Sequence, residues 1–256
     1  MKLDEYKEDL KVIVFDLDGT LAVSKTPMSP EMSSSIVELL KKYTVGVISG
    51  GSFFQFEKQI LSKLTGVESE ILQKLLLFPT NGSIFYRYID AKWQCVYEEK
   101  LADGEKELIS NAWKESIEKT GIILPDNLYG AVMEDRGTQI TFSLCGQSAP
   151  VEVKSTCDPD MVKRSLIREA MLPLLSGFSV TIAGMTSIDI TRAGIDKAYA
   201  INKILQYLKV EKENVLFIGD KLGTGGNDSS AKTTGVFTLP VLGPDNTRAL
   251  IKDLVA

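Results

Sequence analysis

The 256-residue sequence contains no histidine. That absence excludes Ser-His-Asp and Cys-His nucleophilic catalysis and every histidine-containing metal site. Cysteine is scarce as well. Cys95, Cys145 and Cys157 are odd in number and in none of the spacings that bind zinc or shuttle disulfides, so they read as small, partly buried hydrophobes. No dense Lys/Arg run occurs, and with a formal net charge of −5 the chain offers no clustered cations to a nucleic-acid backbone. Nor does any apolar run approach the roughly 18 residues of a membrane span. The start, MKLDEYKEDL, is charged and lacks the apolar stretch of a signal peptide, so a cytoplasmic protein is the expectation. Chemistry must then run on carboxylates, lysines, hydroxyls and backbone groups, with or without a hard metal ion.

What is present begins with a 44% hydrophobic content, enough to bury one large core or two smaller ones. KVIVFD reads as a buried strand, residues 30–42 carry a helical apolar period after Pro30, and TVGVISGG is a second buried strand ending in glycines. A helix over about residues 53–65 and a strand in LLLFPTNGS follow. From about residue 83 the pattern changes: SIFYRYIDAKWQCVYEEK has the β-branched and aromatic content of a hairpin around Asp90-Ala91-Lys92. A helix over 101–120, strands near 129–145, a long helix over 159–175 and a strand pair near 178–192 complete an α+β middle. DKAYAINKILQYL, NVLFIGD and GVFTL then restore helix–strand alternation. The simplest account is a discontinuous α/β core, residues 1–82 plus 186–256, interrupted by an inserted domain at 83–185, with hinges at Gly82 and Gly184.

Parallel strands separated by helices bring their C-terminal ends to one edge of a sheet, where ligands bind. The first strand ends in Asp16 and Asp18, which at spacing two face the same side; the second ends in Ser49, and the late strand VLFIG runs into Asp220. Each signal has a plainer reading. An Asp-Gly after a strand is commonly a turn, and GDKLGTGGND reads equally as a flexible loop, since it lacks the Lys-Ser/Thr of a P-loop. Lys197 opens a predicted helix, where a cation is mildly unfavourable against the dipole, and that placement asks for a reason.

Taken in order, these pieces resemble the haloacid dehalogenase (HAD) superfamily of aspartate-nucleophile phosphotransferases. Asp16-Leu17-Asp18-Gly19-Thr20 matches its first motif, Ser49 its second, Lys197 its third, and Gly219-Asp220 with Asn227-Asp228 its fourth. The inserted segment is similar to the C2-type cap of the Cof-like (type IIB) branch. GGSFFQFEKQ, FPTNGS, GDKLGTGGND and Ser187-Ile188-Asp189 are similar to eukaryotic-type phosphomannomutases within it. The resemblance implies a Rossmann-like parallel sheet with an α+β cap closing over it. It implies Asp16 as nucleophile, Asp18 as general acid/base, and Mg²⁺ held by Asp16, Asp220 and Asn227 or Asp228 with the Asp18 backbone carbonyl. Ser49, Gly50 and Lys197 would hold phosphoryl oxygens.

On the cap, Arg136, Ser187 and Asp189 match substrate-contacting positions of the mutases, but Gln147 stands where that family carries an arginine. Lys25 replaces a second arginine near the first motif, and Arg192 is a candidate to compensate. With Ser49 at the second motif, as in phosphatases, the sequence leans to a Mg²⁺-dependent sugar-phosphate phosphatase. Phosphomannomutase is the alternative, and a non-catalytic HAD-fold binding protein a remote one. The expected partner is a phosphorylated sugar, with no nucleic acid or membrane. A homodimer through the cap stays open.

Overall fold

The computed structural model describes residues 7–256; the charged start, residues 1–6, lies outside the described residues. The chain forms two compact units, one running to Glu98 and resuming over Ile195–Ala256, the other spanning Glu99–Gly194.

The first unit is built on strands β1 (Val12–Asp16), β2 (Thr44–Ile48), β3 (Leu75–Phe78), β4 (Ile84–Ile89), β5 (Lys92–Glu98), β10 (Val215–Gly219) and β11 (Phe237–Pro240). They form one seven-stranded sheet in the order β11-β10-β1-β2-β3-β4-β5, parallel from β11 to β3 and antiparallel through β4 and β5. Helices α1 (Pro30–Lys42), α2 (Phe53–Gln59), α3 (Ser69–Leu72), α7 (Lys197–Leu208) and α8 (Pro244–Val255) belong to this unit. Strand β1 shows why its sequence is an unbroken apolar run. Ile13 and Phe15 enter one core cluster with residues of α1 and α8, while Val12 and Val14 enter another with Ala200, Ile201 and Ile204 of α7. Both faces of the strand are covered, so alternation disappears.

The second unit packs α4 (Asp103–Thr120), α5 (Val151–Cys157) and α6 (Val162–Met171) with β6 (Met133–Asp135), β7 (Ile140–Ser143), β8 (Phe178–Ala183) and β9 (Ser187–Arg192). Its antiparallel sheet has the order β6-β7-β9-β8. Here alternation is plain. Ile140, Phe142, Ile188 and Ile190 join Ile109, Trp113 and Ile167 in an apolar core, so the other face carries Thr141, Ser143, Ser187, Asp189 and Thr191.

The α/β core interrupted by an α+β insertion is therefore present, but its boundaries move. The hairpin β4–β5 was expected to open the inserted domain at residue 83; instead Leu76↔Arg87 and Leu77↔Tyr86 pair it with β3, and it extends the first unit's sheet to Glu98. Likewise β9, expected after 186 to rejoin the core, is hydrogen-bonded between β7 and β8. Neither expected hinge glycine sits at a crossing between units. A Cβ on Gly82 would lie 2.4 Å from the Ala200 Cβ, which makes it a close-packing glycine within the first unit, and the Gly184 carbonyl is bound by Arg164 within the second. The expected helix over 53–65 ends at Gln59, and that over 159–175 shrinks to α6 followed by a short 3₁₀ turn, Leu172–Leu174, at Pro173. Helix α5 was not foreseen, because VEVKSTC is rich in β-branched residues. Among the described residues no helix is long and apolar enough to cross a membrane.

Candidate active site

Strands β10, β1 and β2 are neighbours, and their C-terminal ends deliver Asp220, Asp16 and Ser49 to one edge, with Asp16 in register with Ile48. The chain runs from β1 through α1 to β2 on one side and meets β10 on the other. This is the switch point at which α/β sheets open a crevice. One carboxylate oxygen each from Asp16, Asp220 and Asp228 lies within 4.8 Å of the others. Asp228 is fully buried, and its second oxygen accepts the Lys221 N–H at 3.0 Å, which folds the glycine-rich loop back onto the sheet.

Lys197 is the first residue of α7 and almost wholly buried. Its ammonium donates to Asp16 Oδ1 at 2.5 Å and to the Ile48 carbonyl at 2.6 Å, and lies 3.5 Å from Asp228 Oδ1. Those contacts supply the reason for a cation at a helix start. The N-cap is Asp196, whose carboxylate accepts the Tyr199 N–H at 3.0 Å. Glycines make the room. A Cβ on Gly19, whose φ is +89°, would fall 2.5 Å from Asp220 Oδ2, and one on Gly219 would fall 2.4 Å from Asp228 Oδ2.

The electrostatics record the crowding. Burial pushes the Asp16 carboxyl up from an ordinary 3.8 to about 6, with Lys197 pulling it down and Asp228 pushing it further up. Burial works against the Lys197 ammonium, but the charges of Asp16 and Asp228 outweigh it and hold its pKa above the usual range. Asp220 is raised too, chiefly by burial. Three carboxylates thus surround one buried lysine, with Lys221 a second cation acting on Asp220, and among the described residues Asp220 Oδ1 is buried with no hydrogen-bond partner. A hard divalent cation fits this donor set: all-oxygen, short of positive charge, with one buried oxygen awaiting a partner.

The other expected residues divide. Ser49 is buried, and its hydroxyl accepts the Gly51 N–H at 3.2 Å; Gly50 lies between them in the same turn. The Asp18 carboxylate is outside the three-carboxylate cluster and is held by the Lys25 backbone N–H, at a residue with φ of +59°, and by Gln55 and Gln59. The Asn227 amide leans on Asp228 at 3.4 Å.

In the second unit Arg136 is bound to Glu134 through Nε at 2.9 Å and Nη2 at 2.6 Å, and Asp189 accepts from Thr141 Oγ1 at 2.8 Å beside Ser187 on the polar face. Gln147 spends its amide on the carbonyls of Val132 and Thr141. Arg192 makes a bidentate pair with Glu105, at 2.9 and 2.7 Å, and also reaches the Lys100 carbonyl. Gly51, Gln55 and Gln59 lie in the stretch GGSFFQFEKQ that carries part of the phosphomannomutase resemblance, but the sequence gives none of the three a role; the two glutamines are four apart, on one face of α2.

The sequence matches the haloacid dehalogenase-like hydrolase family over residues 13–229, and the chain belongs to that family. Within it the chain is similar to phosphomannomutases. It is 30% identical over 260 residues to the phosphomannomutase of Glycine max, covering 95% of both chains, and 27% identical over 257 residues to a probable phosphomannomutase of Caenorhabditis elegans, again covering 95% of both. Among solved structures, the IMP-bound, N-terminally truncated IMP-nucleotidase of Plasmodium falciparum superposes with a TM-score of 0.70 at 16% identity, over 98% of this chain and 70% of that one. A trehalose-6-phosphate phosphatase of Aspergillus fumigatus gives 0.58 at 16%, over 100% and 97%. These two likenesses concern the fold. The protein is an enzyme of the class that spans HAD hydrolases and phosphomannomutases.

Proposed function

We propose that the protein is a Mg²⁺-dependent phosphomannomutase that interconverts mannose 1-phosphate and mannose 6-phosphate through an aspartyl-phosphate. The observation that carries this is the phosphomannomutase similarity, which covers 95% of the chain and so includes the second unit as well as the buried Asp16–Lys197 centre. It reverses the sequence's lean to a phosphatase.

In this reading Asp16 attacks the phosphorus, splitting a very slow displacement into two easier ones. The Lys197 ammonium, already 2.5 Å from Asp16, draws the phosphoryl oxygens to the nucleophile, and the Ser49-Gly50-Gly51 turn faces them with hydroxyl and backbone N–H groups. Asp18 protonates the departing sugar oxygen and later takes the proton of the hydroxyl that attacks the aspartyl-phosphate. Asp16, Asp220 and Asp228, with Asn227 alongside, would hold Mg²⁺, which would supply positive charge to an anionic phosphate entering an acidic site. Ser187 and Asp189 are the second unit's candidates for contacting the sugar and Arg136 for its second phosphate, which requires Arg136 to exchange its pairing with Glu134; Lys25 is the first unit's candidate.

A second reading, hydrolysis, is favoured by one specific observation: Gln147 carries no charge, and Arg192 is tied to Glu105 instead of standing in for the missing arginine. The deciding assay gives the protein Mg²⁺ and mannose 1-phosphate, with and without a hexose 1,6-bisphosphate. It follows free phosphate and mannose 6-phosphate together, with Asp16→Asn as blank. Bisphosphate-dependent isomerisation is expected; phosphate release that ignores the bisphosphate would replace the mutase with a phosphatase.

A further inference from the structure

Asp18 is held differently from the acids around Asp16, and the holding is built largely by helix α2. Gln55 and Gln59 sit four apart on α2, so their side chains share one face. Gln55 Nε2 donates to Asp18 Oδ2 at 3.0 Å and to Gln59 Oε1 at 2.6 Å. Gln59 Nε2 donates to Asp18 Oδ1 at 3.1 Å and to the Thr26 carbonyl at 2.9 Å. All four amide hydrogens of the pair are thereby committed, and each glutamine fixes the other's orientation. Gln59 is completely buried, and its backbone carbonyl accepts the Met28 N–H at 2.9 Å, so it also fastens the 23–28 loop. Oδ1 takes one more donor, the Lys25 backbone N–H at 2.6 Å.

The acceptor count is unequal. A carboxylate offers about four lone-pair sites, two on each oxygen. Among the described residues Oδ1 accepts from Lys25 and Gln59 and is saturated, whereas Oδ2 accepts from Gln55 alone. Asp18 is only half-buried, and the site its hydrogen bonds leave open to a further donor is on Oδ2. A second observation shows that room is kept for the clamp: a Cβ on Gly51 would fall 2.3 Å from Gln55 Oε1. The second glycine of the Ser49-Gly50-Gly51 turn thus leaves space for the helix that grips Asp18. Amides suit this place better than acids, because they donate without adding negative charge beside Asp16, Asp220 and Asp228.

We infer that Gln55 and Gln59 are positioning residues for proton transfer: they saturate Oδ1 of Asp18, aim Oδ2 at the leaving oxygen, and make Oδ2 the atom that carries the proton. The inference rests on the reading of Asp18 as general acid/base. In the first half-reaction the bond from Asp16 to phosphorus forms and the bond from phosphorus to the sugar oxygen breaks. The electron pair stays on that oxygen, which takes the proton from Asp18 Oδ2. The clamp survives the transfer, since none of its hydrogen bonds uses the lone pair that loses or gains the proton.

The test compares two leaving groups in single turnovers with excess protein and Mg²⁺: mannose 1-phosphate, whose sugar oxygen needs a proton, and p-nitrophenyl phosphate, whose nitrophenolate leaves without one. Positioned proton transfer contributes about 10²–10⁴-fold, so in Gln55→Met and Gln59→Met the ratio of nitrophenolate to mannose release should rise about tenfold, and in Asp18→Asn by more. Gln55 is part-exposed, and its variant should keep its unfolding midpoint; if Gln59→Met does not fold, Gln55→Met carries the test. A rise in Asp18→Asn with none in Gln55→Met, or equal slowing of both substrates in Gln55→Met, overturns the clamp. No rise in Asp18→Asn itself overturns the proton-donor role on which the clamp depends.

Discussion

Lys197→Met tests the electrostatic account of the centre most directly. The substitution keeps an unbranched side chain out to the position of Cε and removes the ammonium that faces Asp16 and Asp228, at 2.5 and 3.5 Å. Removing one partner of a buried ion pair costs about 3–5 kcal/mol, because the charge left behind has been desolvated without compensation. The sign of the pH dependence follows from Asp16, whose native midpoint of about 6 lies above the ordinary 3.8. Protonation therefore favours the native state: this contribution is fully present below about 3.8 and is lost as the pH rises through about 6. Lys197 lowers the Asp16 midpoint, so its removal raises it. For each pH unit of that rise, the gap between wild type and variant should narrow by about 1.4 kcal/mol on going from pH 7.5 to pH 5.

The molecule has a tryptophan in each unit, Trp93 in β5 and Trp113 in α4, so urea unfolding in a Trp113→Phe background reports the first unit through Trp93. The expectation is a metal-free loss of about 3–5 kcal/mol at pH 7.5, smaller at pH 5, and largely recovered by adding Asp16→Asn. A loss under about 1 kcal/mol, or one equal at both pH values, would refute the reasoning.

Two further outcomes follow from the same geometry. Asp16 must shed its proton both to attack phosphorus and to bind a cation. At limiting Mg²⁺, turnover should therefore fall as the pH drops below about 6, and rising Mg²⁺ should carry that limb to lower pH; an initial-rate profile that ignores Mg²⁺ would contradict the shared site. Gly19→Ala places a Cβ 2.5 Å from Asp220 Oδ2 at a φ of +89°; it should lose most turnover and about 1–2 kcal/mol by urea unfolding, whereas a fully active variant would show that Asp220 has room to move.

Much of this protein is legible in the sequence because the relevant signals are local. An unbroken apolar run such as VIVFD says that both faces of a strand are covered, and a strand's last residue lies at the sheet edge wherever the strand is placed in the sheet. Asp16, Asp18, Ser49, Lys197 and Asp220 could therefore be singled out from strand ends and one helix start, and Asp228 from the family resemblance that they carry. What remained hidden depends on partners far apart in sequence. The units divide at Glu98 and Gly194 because pairing with β3 claims the β4–β5 hairpin and pairing with β7 and β8 claims β9, and the choice of neighbour leaves no mark in a strand's own composition. Arg192 reads as a cation available for phosphate until Glu105, 87 residues away, is seen to occupy it. Gln55 and Gln59 lie in a predicted helix with no role assigned until tertiary packing sets them against Asp18, 37 and 41 residues earlier. Residue type and strand position determine which groups can do chemistry here; which of them are already engaged, and by what, is decided only when the chain closes, because a hydrogen bond or ion pair is a property of two places at once.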